Sequence, residues 1–144
     1  MTMDGSSVVS NTANFGGGLV NTSGGQITIA ASMIVSNTTS SDGGGIFNDG
    51  NGGSGSAITL TNGSLVQANT ANRGGGIWNQ QSGSVTLNGS SVVSNTASNN
   101  FDGGGGIYNT NSGSAITSPM AVASKTTMPT EAAVPEWQLR HSRH

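Results

Sequence analysis

Hydrophobic residues recur along the chain in short alternating runs that repeat once every few tens of residues. Four of these runs alternate aliphatic residues with threonine: Ile27-Thr28-Ile29, Ile58-Thr59-Leu60, Val85-Thr86-Leu87 and Ile116-Thr117-Ser118. Successive side chains of a β-strand point to opposite faces, so the aliphatic residues are predicted to face a core and the threonines to face outward. No run between residues 5 and 118 has the 3.6-residue apolar period of a helix, so the pattern predicts strands throughout.

Two further motifs recur with the same period. The pair Asn-Thr begins at Asn11, Asn37, Asn69 and Asn95, at spacings of 26, 32 and 26 residues. Each pair is followed by a glycine triplet, an aliphatic residue, a variable residue and asparagine, at 16–21, 43–48, 74–79 and 104–109. A unit this small cannot bury its own apolar face and must stack on similar neighbours. The sequence therefore predicts an all-β fold, a right-handed parallel β-helix of four coils with three short strands per coil.

The repeat also predicts which residues stack on one another. Inward columns are expected at Val8/Ile34/Val66/Val92, Leu19/Ile46/Ile77/Ile107, Ile27/Ile58/Val85/Ile116 and Ile29/Leu60/Leu87. Asparagine tolerates left-handed backbone at a bend, and side chains one coil apart, about 4.8 Å, can hydrogen-bond along a column. Two such ladders are expected, one through Asn11, Asn37, Asn69 and Asn95, and one through Asn21, Asn48, Asn79 and Asn109.

The repeat stops near residue 118. Residues 1–118 are predicted to form the repeat domain, with units near 6–31, 32–63, 64–89 and 90–118. Residues 119–144 form an irregular tail that has no Gly or Asn but holds all three Pro, both Glu and both His. The tail is either a cap, formed by Met120, Val122, Val134, Trp137 and Leu139, or accidental sequence. Because open sheet edges invite pairing with another chain, we expect a cap or self-association through the ends.

Composition excludes several classes of function. Gly, Ser, Thr and Asn supply 78 of the 144 residues, and charged residues supply 7% with a net charge of −2. Only four Lys or Arg are present, so no basic face is expected and nucleic acid is not a predicted partner. The absence of Cys excludes disulfides and thiolate metal sites. Neither a signal peptide nor an apolar stretch of membrane-spanning length is recognisable, so membrane insertion is not expected.

The Asn-Thr and Gly-Gly-Gly-Ile-x-Asn blocks resemble the right-handed parallel β-helix repeats of bacterial surface and secreted proteins. They are similar to polymorphic outer-membrane and autotransporter passenger repeats over residues 6–118. The resemblance implies an extracellular or cell-surface adhesin, or, where such helices are longer and carry acidic clusters, a polysaccharide lyase or glycoside hydrolase. This chain departs from both groups, since it has four coils and no autotransporter barrel.

A second resemblance rests on size and on no motif. This chain has the size of short chains recovered from environmental DNA (metagenomes). In that respect it resembles small calcium-dependent hydrolases of N-acyl-homoserine lactones, the quorum-quenching lactonases.

One polar column offers candidate chemistry. Phe15, Asp42, Arg73 and Asp102 lie just before the glycine triplets, with Asp102 displaced by one residue. Carboxylates of Asp42, Asp49 and Asp102 would suit Ca²⁺, which prefers oxygen ligands. A bound Ca²⁺ would polarise a lactone or ester carbonyl while a carboxylate acts as general base, or would neutralise a uronate while Arg73 takes its proton. The alternative is a solvent-exposed charge ladder that favours one coil register.

Two outward columns offer candidate binding surfaces. Phe47, Trp78 and Tyr108, above Val20, would form an aromatic platform for sugar rings or an acyl chain, or would only stack along the ladder. The Thr28, Thr59, Thr86 and Thr117 column resembles an ice-binding surface, although Ala30, Thr61, Asn88 and Pro119 form no second threonine column beside it.

The leading hypothesis is a non-enzymatic or accessory extracellular repeat domain, or a fragment of a longer protein, for adhesion or glycan contact through the aromatic column. The rival hypothesis is a Ca²⁺-dependent hydrolase of a small lactone, ester or glycan that uses Asp42, Arg73 and Asp102. Neither hypothesis needs an organic cofactor.

Overall fold

The computed structural model describes residues 1–51, 55–99, 103–111 and 113–118, and in these ranges the chain is all-β. Within these ranges, seventeen strands pair in parallel to form a β-solenoid of about four turns, as the repeat predicts. Within the described part of the chain no helix is long and apolar enough to cross a membrane. The predicted cap or accidental tail at 119–144 lies outside the described residues.

The strands follow the coils in order. A single strand, β1 (Thr2–Asp4), precedes the first coil. The first two coils contain β2 (Ser7–Val9), β3 (Thr12–Ala13), β4 (Leu19–Thr22), β5 (Gln26–Ala30), β6 (Met33–Val35), β7 (Thr38–Thr39), β8 (Ile46–Asp49) and β9 (Ala57–Thr61). The last two contain β10 (Leu65–Gln67), β11 (Thr70–Ala71), β12 (Ile77–Gln80), β13 (Ser84–Asn88), β14 (Ser91–Val93), β15 (Thr96–Ala97), β16 (Ile107–Asn109) and β17 (Ala115–Thr117).

The described strands form four sheets along the solenoid, one more than the three strands per coil that the sequence pattern predicts. Sheet A contains β1, β5, β9, β13 and β17; sheet B contains β2, β6, β10 and β14; sheet C contains β3, β7, β11 and β15; sheet D contains β4, β8, β12 and β16. Sheet C is the additional one. Its strands are only two residues long, at the Asn-Thr motifs, so they are too short for an alternating pattern to reveal them.

The aliphatic columns form the core in the predicted register. Val8, Ile34, Val66 and Val92 are aligned across sheet B, and Ile27, Ile58, Val85 and Ile116 across sheet A. In the middle coils these side chains are fully buried, whereas Ile116 of the last coil is 37% exposed. Met3 of β1 extends the Ile29 column by one residue. Stacking of neighbouring coils therefore supplies the burial that a single coil lacks.

Both predicted asparagine ladders are present. Nδ2 of Asn37 donates to Oδ1 of Asn69 at 3.0 Å, and Nδ2 of Asn48 donates to Oδ1 of Asn79 at 2.7 Å. The expectation that asparagine takes the left-handed bend is wrong for both ladders, because none of the eight ladder asparagines has a positive φ. The first ladder shows where the bend lies. Positive φ lies instead at the preceding residue of each coil, which is Ser10, Ser36, Ala68 or Ser94 (φ 55°, 57°, 53° and 54°). The asparagine side chain points inward to its ladder partner, so the exposed residue before it makes the bend.

Candidate functional site

Asp42 and Arg73 stack on each other one coil apart. Their backbones form a parallel bridge, and Arg73 holds the carboxylate in a two-point contact, Nε to Oδ1 and Nη2 to Oδ2, each 2.9 Å. Asp42 is only 5% exposed. Both carboxylate oxygens are therefore bound by one guanidinium. The pair resembles the charge ladder that was the alternative prediction, but its carboxylate is nearly buried and not exposed to solvent. Asp102, the third residue predicted for this column, lies outside the described residues.

The glycine triplets explain how these side chains reach sheet D. Gly43 and Gly74 have positive φ values of 70° and 59°, which turns the chain back over the strand that follows. A Cβ built on Gly74 would lie 3.0 Å from Cα of Trp78, so the segment before the triplet passes directly over the outer face of β12. Arg73 consequently covers Trp78, the outward residue of the strand that follows its triplet.

Phe47 and Trp78 of the predicted aromatic column are covered by residues that precede glycine triplets, so they do not form an open platform. Phe47 and Trp78 are 8% and 3% exposed. Phe15 contacts Phe47 edge-on, with ring centroids 5.6 Å apart at 65°, and the guanidinium carbon of Arg73 lies 4.5 Å from the centroid of Trp78. Two columns that look independent in the sequence, the residues before the glycine triplets and the aromatic residues, therefore pack together as one layer.

Tyr108 completes this layer in the last coil. Its ring stacks on Trp78 with centroids 4.6 Å apart and planes at 10°. The indole Nε1 of Trp78 is buried and has no hydrogen-bond partner among the residues that the structure describes. Tyr108 itself is partly exposed, and Phe15 at the opposite end is 52% exposed. Among the described residues of this layer, Tyr108 and Phe15 at its two ends are therefore the aromatic rings most open to a ligand.

Asp49 and Asp42 have different contact partners. Asp42 precedes the glycine triplet, whereas Asp49 ends β8 and pairs with Gln80 in the sheet D register. Its Oδ1 accepts from the backbone N–H of Asn51 at 2.8 Å, and its Oδ2 accepts from Nε2 of Gln80 at 3.1 Å. Across the residues that the structure describes, no three His, Cys, Asp or Glu residues come close enough to share a metal ion. The predicted Ca²⁺ site of Asp42, Asp49 and Asp102 stays a prediction, and these contacts do not assemble it.

Replacing Arg73 with methionine is expected to destabilise the fold. The change keeps much of the side-chain volume but leaves the nearly buried Asp42 carboxylate without its guanidinium, which costs about 3 kcal/mol for a buried pair. Urea unfolding of the full chain measures the loss. The double variant Asp42→Asn/Arg73→Met is expected to recover part of it, because no unpaired charge remains; a double variant less stable than the Arg73→Met single would contradict this interpretation.

A second candidate surface lies on the outer side of sheets B and C, and sequence reasoning missed it. Three neighbouring columns share the registers of these sheets and of the corner between them. We call them the threonine–valine face: Val9, Val35, Gln67 and Val93; Ser10, Ser36, Ala68 and Ser94; Thr12, Thr38, Thr70 and Thr96.

This face is open and uncharged. All four threonines and all four corner residues are exposed, and Val9 is 48% exposed. Beside it, Met33 of sheet B is 46% exposed. The threonine column of sheet A differs, because Thr28, Thr59 and Thr86 of the middle strands are partly buried. The signal in the sequence was the recurrence of Thr after each ladder Asn, with an aliphatic residue two positions before that Asn in three of four coils.

No protein-family model, curated protein or solved structure matches this chain. The strand registers and the repeated ladders alone establish the fold, and they identify the chain as a parallel β-solenoid of about four coils.

Proposed function

We propose that this chain is a non-catalytic contact domain that binds a neutral polysaccharide on the threonine–valine face, within an extracellular or cell-surface adhesion protein. One observation carries the proposal: columns of exposed Thr and Ser residues run side by side with a column of exposed and partly exposed valines along the solenoid, in register and without a charged residue. Ala68 and Gln67 are the two exceptions to these residue types. The bacterial surface-repeat resemblance of the Asn-Thr and glycine-triplet blocks agrees with this role.

The chemistry of the face suits a sugar polymer. A sugar ring presents C–H groups on its faces and hydroxyls at its edges, so it is matched by aliphatic side chains next to hydroxyl donors and acceptors. Successive coils repeat each column about every 4.8 Å, which offers an extended ligand equivalent contacts from one coil to the next.

The other candidate surfaces are less suited to this ligand. Phe47 and Trp78 are covered by Phe15 and Arg73, so a sugar ring has no access to their faces. The Asp42 carboxylate is bound by Arg73, which favours a structural role over a catalytic one. The proposal therefore transfers the predicted glycan contact from the aromatic column to the threonine–valine face.

The test is co-sedimentation of the full chain with insoluble neutral polysaccharides, namely amorphous cellulose, chitin and mannan. The double variant Thr38→Val/Thr70→Val removes two exposed hydroxyls and keeps the side-chain shape. We expect it to weaken binding to the preferred polymer by about tenfold, since two hydrogen bonds are lost. Because the face is uncharged, wild-type binding is expected to change little between about 0.05 and 0.5 M salt.

A matched control is available on sheet A. Thr59→Val/Thr86→Val makes the same chemical change at partly buried positions away from the face, and it is expected to bind like the wild type. Equal loss in both double variants would argue against a specific face. No binding of the wild type to any of the three polymers would contradict the proposed function.

The hydrolase prediction has its own test. We expect calorimetric titration of chelator-treated protein with Ca²⁺ to give no saturable heat, because Asp42 and Asp49 are each engaged by other groups. A lactone and ester hydrolysis assay with and without Ca²⁺ should accompany it. Ca²⁺-dependent turnover that Asp42→Asn abolishes without unfolding would support the hydrolase instead.

A further inference from the structure

The two ends of the solenoid are complementary, and we propose that the chain binds a second copy of itself head to tail, with the last coil of one copy beneath the first coil of the next. The surfaces involved are the ends of the stack, so this proposal is independent of polysaccharide binding on the threonine–valine face.

The outer end of the first coil presents exposed apolar side chains and a hydrogen-bond acceptor. Its core residues Val8 and Leu19 are partly exposed, although their equivalents in the next coil, Ile34 and Ile46, are fully buried. On the outer side, Val20 is 51% exposed. Nδ2 of Asn21 donates to Oδ1 of Asn48 at 2.8 Å, but Oδ1 of Asn21 accepts no hydrogen bond from the described residues. In sheets B, C and D the first coil thus lacks, among the described residues, the neighbour that every later coil has beneath it, whereas β1 occupies that position in sheet A.

The last coil presents the matching groups. Ile107 and Tyr108 of β16 are partly exposed, and Asn109 is exposed. Oδ1 of Asn109 accepts from Nδ2 of Asn79 in the ladder. Nδ2 of Asn109 donates to the carbonyl of Ser114 at 3.2 Å. A side-chain amide carries two N–H groups, so a second donor is directed at no acceptor within the described ranges.

The polarity of the ladder selects the orientation. Each asparagine donates to Oδ1 of the next coil, in the order Asn21, Asn48, Asn79 and Asn109. Head-to-tail stacking places the Nδ2 donor of Asn109 against the Oδ1 acceptor of Asn21 and repeats an interface the chain already makes three times. Joining two first coils would oppose acceptor to acceptor, and joining two last coils would oppose donor to donor. Only the head-to-tail arrangement also continues all parallel sheets in the same direction.

In sheet A, two strands compete for one position at the junction between the copies. In the upper copy, β1 already pairs with β5, in the position that β17 of the lower copy would need. All three residues of β17 are exposed, whereas Met3 of β1 is 8% exposed. We therefore expect β17 to leave this position and β1 to keep its pairing with β5. The contact joins different surfaces of the two copies, so further copies can add in the same way. Such contacts build open filaments unless the rotation from one copy to the next closes a ring.

Sedimentation velocity of the full chain tests the proposal with two variants that block opposite ends. Val20→Lys places a charge on the first coil, and Tyr108→Lys places one on the last coil at the equivalent column position. We expect wild-type protein to sediment faster as concentration rises from about 1 to 500 μM, by mass action, and each variant alone to remain a monomer.

The mixture is decisive. Val20→Lys retains an intact last coil and Tyr108→Lys retains an intact first coil, so an equimolar mixture is expected to form a dimer of twice the 14.2 kDa chain mass. Association of either variant alone would overturn the head-to-tail orientation, and a wild-type monomer at all concentrations would overturn self-association. Ile107→Lys serves as a second last-coil block if Tyr108→Lys loses its β-sheet circular dichroism.

Discussion

Asn69→Ala is expected to lower the free energy of unfolding by about 4 kcal/mol or more, because each buried polar group left unpaired costs about 1 to 3 kcal/mol. Nδ2 of Asn69 donates to Oδ1 of Asn95 and to the carbonyl of Ile34, both at 2.9 Å. Its Oδ1 accepts from the backbone N–H and from Nδ2 of Asn37, at 2.9 and 3.0 Å. Alanine removes every one of these contacts from a site that is 0% exposed. Urea unfolding monitored by circular dichroism measures the loss.

The end of the same ladder provides the control. Asn11 is exposed, and its Nδ2 donates to the carbonyl of Val9 and to Oδ1 of Asn37, which also accepts the backbone N–H of Asn11. Asn11→Ala leaves that backbone contact in place and lets water replace the others, so a loss of about 1 kcal/mol is expected. Equal losses at Asn11 and Asn69 would show that burial of the ladder is not what stabilises the stack.

Gly44→Ala is the second substitution with a large expected effect. A Cβ at this position would lie 2.6 Å from the carbonyl oxygen of Thr70 and would also contact the carbonyl oxygen of Gly75 in the next coil. These are backbone atoms, so the two coils must separate, which strains the hydrogen bond from Gly44 N–H to the carbonyl of Gly74, now 3.1 Å. We expect a loss of more than about 3 kcal/mol in unfolding free energy, at the upper end of overpacking effects.

Gly63→Ala separates close packing from backbone conformation. Gly63 has a φ of 75°, but a Cβ there would meet nothing within 4 Å. Left-handed strain alone is expected to cost about 1 to 2 kcal/mol. If Gly63→Ala destabilised the chain as much as Gly44→Ala, close contact between coils would not explain the glycine triplets.

The fold was predictable because one repeat fixes both the core and the register. Once Asn37 and Asn69 are aligned, the alternation in each unit places Ile34 over Val66 and Ile58 over Val85, as the structure does. Sheet C was not predicted, since two residues such as Thr70 and Ala71 are too few to alternate. The strand β1 was missed because Thr2–Asp4 precedes the first repeated motif.

The candidate site was less predictable because it depends on contacts between columns. Alternation correctly placed Trp78 on the outer side of its strand, but it carries no information on what covers that side. The positive φ of Gly74 brings Arg73 over the indole, and this turn is a property of the folded backbone. Exposure of Thr38 and Thr70 likewise depends on the bend at Ser36 and Ala68, which the sequence pattern assigned to the neighbouring asparagines.

The most direct test of polysaccharide contact is a residue-resolved nuclear magnetic resonance titration of the ¹⁵N-labelled full chain with soluble cello-, chito- and manno-oligosaccharides. The proposed function predicts that the backbone amide signals of Val35, Thr38 and Thr70 shift with saturation for at least one of these sugars, while the Trp78 indole N–H signal stays in place. Shifts centred on the Trp78 indole and Tyr108, or no saturable shift with any of the three sugars, would contradict it.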